Sequence, residues 1–222
     1  MDPARRLVEL SHPITAGMVT YPGLPGPEIT DHLSREASRA NYAPGTEFQI
    51  GRISMVANTG TYLDTPFHRF ADGADLAGIG LERLADLDAV VIRVPHRVAI
   101  GPGDLAGADV GGRAVLLHTG WDRNWGSPAY GDAAHPFLSG AGAADLVERG
   151  AVLVGIDSVN IDDTSGGERP AHTTLLAAAI PVVEHLRGLE ELPETGFRFT
   201  AAPPLVAGIG TFPVRAWASV PA

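Results

Sequence analysis

Asn58, Tyr62, Asp64 and His68 fall at even spacing in the run Asn58-Thr59-Gly60-Thr61-Tyr62-Leu63-Asp64-Thr65-Pro66-Phe67-His68. Residues two apart share a face of extended backbone, so an amide, a phenol, a carboxylate and an imidazole would stand on one side. The imidazole can take a proton near neutrality, the phenol can donate one, and the carboxylate can hold a cation or orient its neighbours. Gly60 permits a turn and Pro66 fixes another, which limits how strictly the alternation can run. The combination points to acid–base chemistry on a small molecule, with or without a metal.

Composition narrows that chemistry. All sixteen cations among the 222 residues are arginine, and there is no lysine and no cysteine. Without lysine there is no Schiff-base catalysis, no lysine-anchored pyridoxal phosphate and no complete P-loop. Without cysteine there is no disulfide, thiolate nucleophile or sulfur-ligated metal. Any metal must rest on His, Asp, Glu or weaker oxygen donors. A net formal charge of −10 argues against nucleic acid as a partner. No uninterrupted apolar run approaches the ~20 residues of a membrane span, and the start MDPARRLVEL has no apolar stretch after its arginines. A cytoplasmic protein acting on a small molecule is the expectation.

The elements that must position these residues are mostly strands. Apolar runs bounded by turn residues at 7–10, 89–94, 114–118, 151–156, 197–201, 205–209 and 214–219 read as strands. Residues 48–57 alternate apolar and polar, with a slip near Gly51-Arg52 that suggests a bulge. Helices are fewer. Ser139 is a candidate N-cap for residues 141–149, which Gly150 ends. Residues 173–179 predict a second helix, broken by Pro181 and continuing over 182–186, and 78–84 a weaker third. With 45 glycines and prolines, one mixed, β-rich α/β domain over residues 1–222 is expected.

Other motifs carry less. Gly101-Pro102-Gly103-Asp104-Leu105-Ala106 matches a dinucleotide fingerprint in letters, but Pro102 inside it favours a turn capping a short helix. Gly155-Ile156-Asp157-Ser158-Val159 lacks the second glycine of a nucleophile elbow. Asp157, Asp162 and Asp163 do not have Ca²⁺-loop spacing, and Asp162 and Asp163 read as structural groups of a strand-end turn.

The run at 58–68 resembles the signature H-x-G-T-H-x-D-x-P-x-H of the cyclase family, which includes bacterial kynurenine formamidase and isatin hydrolase. Gly60, Thr61, Asp64, Pro66 and His68 match. Further blocks extend the resemblance over nearly the whole chain: Leu10-Ser11-His12-Pro13-Ile14, Tyr21-Pro22-Gly23, Leu116-Leu117-His118-Thr119-Gly120-Trp121, His135-Pro136, Gly155-Ile156-Asp157-Ser158, His172-Thr173-Thr174-Leu175-Leu176 and Ile180-Pro181-Val182-Val183-Glu184. The resemblance implies a swivelling β/β/α fold and subunits that associate, as a homodimer or homotetramer.

Two departures stand out. Where the family places two histidine metal ligands, this chain has Asn58 and Tyr62, both poor ligands for zinc or manganese. The resemblance makes Asp64, His172 and Glu184 the ligands of a second position, which can still hold one Zn²⁺ or Mn²⁺. Two mechanisms follow. In one, a single metal acts with His68 as base in hydrolysis of an amide, lactam or lactone of a small cyclic or aromatic metabolite. In the other, no metal binds, and Tyr62, Asp64, His68, His172 and Glu184 form an acid–base pocket suited to ring closure or dehydration in secondary metabolism. A non-catalytic ligand-binding scaffold is a third reading.

Plainer roles compete at each position. Asp64 could cap the turn at Thr65-Pro66, Glu184 could be exposed and paired with Arg187, and His172 could be a helix-start residue held by backbone. Asn58, Tyr21, His12 and Trp121 are candidates for contacting substrate or supporting the residues that do, with Ser11 beside them. Trp125 and Phe67 could line the pocket or pack in the core.

Overall fold

The computed structural model describes residues 5–221. In chain order it contains β1 (Arg5–Glu9), β2 (Glu28–Leu33), α1 (Arg35–Ser38), β3 (Ile50–Ser54), β4 (Tyr62–Asp64), β5 (Leu87–Arg93), β6 (Ala99–Ile100), α2 (Pro102–Leu105) and β7 (Ala114–His118). There follow β8 (Phe137–Leu138), α3 (Gly140–Glu148), β9 (Leu153–Ile156), α4 (Pro170–Ala177), β10 (Val182–Glu184), β11 (Phe197–Thr200), β12 (Thr211–Pro213) and β13 (Trp217–Pro221). The result is a mixed α/β, strand-rich fold.

Nine strands form the main sheet in the order β1-β13-β11-β5-β7-β9-β10-β4-β12. Its centre, β5-β7-β9-β10, is parallel, and the flanking pairs are antiparallel. Parallel strands covered on both faces read as continuous apolar runs. In β7, Leu116 faces one core with Leu63, Val183, Phe197 and Phe199, whereas Val115 and Leu117 face the other with Val154, Ile156, Leu146 and Leu175. α3 and α4 cover this second face. Each large aliphatic side chain so buried contributes about 1.5–3 kcal/mol relative to exposure.

α3 begins where the Ser139 hydroxyl accepts from the Gly142 amide at 3.0 Å. It is followed by Gly150 in the left-handed region, φ +77°, which a side chain would oppose. Three expectations need correction. Residues 182–184 form a strand, not helix, because β9 and β4 offer backbone partners on both sides. Residues 205–209 form no strand, and the strand of that region is β12, a few residues later. Residues 78–84 supply only a single 3-10 turn, Leu81–Arg83.

The alternation at 48–57 does produce a strand, but not one packed on this chain's core. β2 and β3 form a separate ribbon whose residues, Leu33 apart, are all exposed. Ile29 pairs with Ile53, and the register shift lies in β2 between Asp31 and Leu33 rather than at Gly51-Arg52.

Candidate active site

β4 is three residues long and lies between β10 and β12. In antiparallel pairs, side chains directly opposite share a face and touch. Tyr62 is opposite Glu184 of β10, and Asp64 is opposite Thr211 of β12. Leu63 between them points into the core. The Tyr62 hydroxyl donates to Glu184 Oε2 at 2.6 Å, and Thr211 Oγ1 donates to Asp64 Oδ1. Gly60 turns the chain into this strand at φ +66°. Pro66 starts the 3-10 turn Pro66–His68 that swings His68 back over β4.

His68 Nδ1 lies 2.7 Å from Thr211 Oγ1 and 3.7 Å from Asp64 Oδ1. A hydroxyl has one proton, and here it goes to the carboxylate. The imidazole therefore donates from Nδ1, which leaves Nε2 as the basic nitrogen. The His68 side chain is 36% exposed, enough to meet a substrate.

His172 enters from the first turn of α4. Asp162 caps that helix: its carboxylate accepts from the Ala171 amide at 2.6 Å, the His172 amide at 2.9 Å and His172 Nδ1 at 2.7 Å. Nε2 of His172 then points at Asp64 Oδ2 and Glu184 Oε1, each 3.5 Å away. Asp64 Oδ2 and His172 Nε2 are both buried without a hydrogen-bond partner, a costly arrangement unless something binds them. Glu184 Oε1 also accepts from the Ile161 amide at 2.6 Å.

The charges follow from this packing. Burial raises Tyr62 far above the ordinary phenol value, helped by the Glu184 and Asp64 charges, so it stays a neutral donor. Burial also raises Glu184, against the pull of His172. Burial works against a charged His172, yet Glu184, Asp162 and Asp64 together raise it to about 10. Burial opposes ionisation of Asp64 as well, but His172 and His68 keep its pKa lowered.

These groups border a cavity of about 930 Å³ lined by Tyr21, Asn58, Tyr62, His68, His172 and Glu184, among others. Phe67 lies outside the lining. Asn58 neighbours the Tyr62 phenol. His12 and Trp121, considered above as substrate contacts, do not line it. His12 faces an adjacent cavity, and the Trp121 indole donates to the Tyr130 carbonyl at 2.9 Å. Ser11 ties strand ends, donating to Val214 O and accepting from Ala216 N.

The donors fit one cation. Asp64, His68 and His172 place ligand atoms within 4.8 Å of one another, and Glu184 Oε1, 3.5 Å from His172 Nε2, is an alternative third donor to His68. Two atoms of this group lack any other partner, and the Asp162 carboxylate behind His172 fixes the ring as such carboxylates do behind metal-bound histidines. Asn58 and Tyr62 add no comparable donor, since the Tyr62 hydroxyl is spent on Glu184.

The family description "Putative cyclase" matches residues 8–163, well over half of the chain. The chain belongs to the cyclase family. It is similar to a kynurenine formamidase of Delftia acidovorans, 29% identical over 217 residues and covering 96% of each chain. A kynurenine formamidase of Geobacillus thermodenitrificans is 30% identical over 188 residues, covering 81% of this chain and 84% of that one. A solved "Potential Metal-Dependent Hydrolase With Cyclase Activity" superposes with TM-score 0.80 at 26% identity, covering 97% and 98%. An isatin hydrolase bound to thioisatinate superposes with TM-score 0.84 at 20% identity, covering 99% and 94%.

This family member is therefore an enzyme with the strand-rich cyclase fold. Among the described residues, no helix is long and apolar enough to cross a membrane. Sequence reasoning missed two residues of the site. Asp162 gave a usable signal, an acid upstream of a proline-initiated helix, but read as merely structural. Thr211 gave none, because its meaning depends on lying opposite Asp64.

Proposed function

We propose that this cyclase hydrolyses an amide, lactam or lactone of a small cyclic or aromatic metabolite, with one divalent ion, Zn²⁺ or Mn²⁺. The supporting observation is the pair of buried, unpartnered atoms, Asp64 Oδ2 and His172 Nε2, 3.5 Å apart at the edge of a cavity lined by His172 and His68. Of the two possible third donors, Glu184 rather than His68 would hold the ion with Asp64 and His172, since Glu184 Oε1 and Asp64 Oδ2 each lie 3.5 Å from His172 Nε2, and this leaves His68 free. When bound, such an ion supplies polarisation of the carbonyl and a more acidic water. His68 takes the proton of the attacking water at Nε2, while Thr211 holds the opposite side of the ring. As the C–N or C–O bond breaks, His68 returns that proton to the leaving atom. Tyr62 keeps Glu184 fixed by its hydrogen bond.

A metal-free acid–base cyclase or dehydratase is the second reading. It is favoured by the position of His172 Nε2 at 3.5 Å from two carboxylate oxygens, where a protonated ring balances the charge without an ion. Elemental analysis of protein purified without chelator separates the two: about one tightly bound divalent ion per chain supports hydrolysis, and none supports the second. Turnover is measured on a panel of aryl formamides, lactams and aryl lactones. His68→Ala should abolish measurable turnover with the melting curve preserved, and full activity in that variant overturns the assigned base.

A further inference from the structure

A second cavity, of about 650 Å³, lies beside the first, and Pro22 lines both. Small-molecule pockets are typically roughly 300–1,000 Å³. In a chain of net charge −10, this cavity is lined by no Asp or Glu, and Arg187 is its one ionised group at neutral pH. Among the described residues Arg187 forms no ion pair.

Apart from the hydroxyls of Thr15, Thr20 and Ser127, the other walls are mostly apolar. The His12 ring stacks on the Trp125 indole with centroids 3.8 Å apart and planes 7° from parallel. Tyr130 meets Trp125 edge-on at 4.9 Å, and Met18, Val19 and Pro128 are among the other apolar lining residues. Nε2 of His12 is buried without a hydrogen-bond partner. Burial, and then the charge of Arg187, push this imidazole down to about 4, so it is neutral at pH 7.

We propose that this cavity is a binding site for a small, flat carboxylate, separate from the catalytic cavity. The carboxylate pairs with Arg187, and the ring lies against the wall that His12, Trp125 and Tyr130 line. A guanidinium matches a carboxylate with two parallel hydrogen bonds. The aromatic wall selects a planar hydrocarbon body over an aliphatic acid. This assignment does not depend on the reaction proposed above.

The test uses full-length protein with 5-fluorotryptophan at Trp121, Trp125 and Trp217, the Trp125 ¹⁹F signal being assigned with Trp125→Phe. Benzoate should shift the Trp125 signal saturably. Benzamide, its neutral counterpart, should bind at least about tenfold more weakly, as should benzoate to Arg187→Met. Arg187→Lys, which keeps the charge but loses the fork, should fall between and serves if the methionine variant does not fold. The shift should persist in His68→Ala, and Arg187→Met should keep the turnover of the parent. The proposal is overturned by equal binding of benzamide, by unchanged benzoate binding in both Arg187 variants, by loss of the shift in His68→Ala, or by no saturable shift.

Discussion

Nδ1 of His68 lies 2.7 Å from Oγ1 of Thr211, and the same hydroxyl donates onward to Asp64. One threonine thus fixes the tautomer of the candidate base and fills one oxygen of a candidate ligand. Thr211→Val removes both bonds while keeping the shape. Turnover should fall about 10–100-fold, the range seen when groups behind metal ligands are removed. Thr211→Ser should restore most of it. A valine variant as active as the parent would show that His68 is oriented by other means.

Asp162 sets the direction of His172 through the 2.7 Å bond to Nδ1 and caps α4 through two amides. Asp162→Asn should weaken metal affinity about 10–100-fold, measured by competition with a chelator. Only one oxygen then remains for the three N–H groups that the carboxylate serves, so the change should also cost about 1 kcal/mol of stability, read from the urea midpoint. Unchanged affinity would separate His172 from any metal role.

Gly210 is where β12 passes against the turn that carries His68. A Cβ there would overlap the His68 and Phe67 backbone. Gly210→Ala should displace His68, and a displacement near 1 Å is enough to cost about a hundredfold in rate. Gly208→Ala is the control: its φ is +81° but no atom lies within 4 Å of a built Cβ. That variant should lose stability and keep kcat/KM. Equal kinetic losses in both would point to general disruption.

His12 is held neutral, with a folded pKa of about 4 against an ordinary 6.5. A base whose folded pKa is depressed contributes stability that is complete above pH 6.5 and is lost as pH falls toward 4. The denaturation midpoint of the parent should therefore drop between pH 7 and pH 5 more than that of His12→Gln. Parallel slopes for the two proteins would remove His12 as a source of acid sensitivity.

Much of the framework was legible in the sequence, for identifiable reasons. The runs at 89–94, 114–118 and 151–156 became β5, β7 and β9 because strands buried on both faces need apolar side chains at every position. Ser139 and Gly150 bounded α3 because helix ends need a hydroxyl acceptor and a left-handed residue. Residues 182–186 were misread because a short apolar run has the same letters in a buried strand as in a buried helix. The alternation of β3 gave a correct strand, but it could not say that its residues stay exposed among the described residues.

The sequence alone determined the available chemistry: no lysine or cysteine, a carboxylate and imidazole at Asp64 and His68, and Asn58 and Tyr62 at the positions where the family resemblance implies two histidines. Only the tertiary structure decided which groups meet. Thr211 is 147 residues from Asp64 and Glu184 is 122 from Tyr62, yet each pair stands directly opposite across β4. It also moved His12 out of the catalytic cavity and into the one beside it. The physical reason is register. Side chains alternate faces with a period of two, so a slip of one residue would turn Tyr62 and Asp64 into the core and Leu63 into the site.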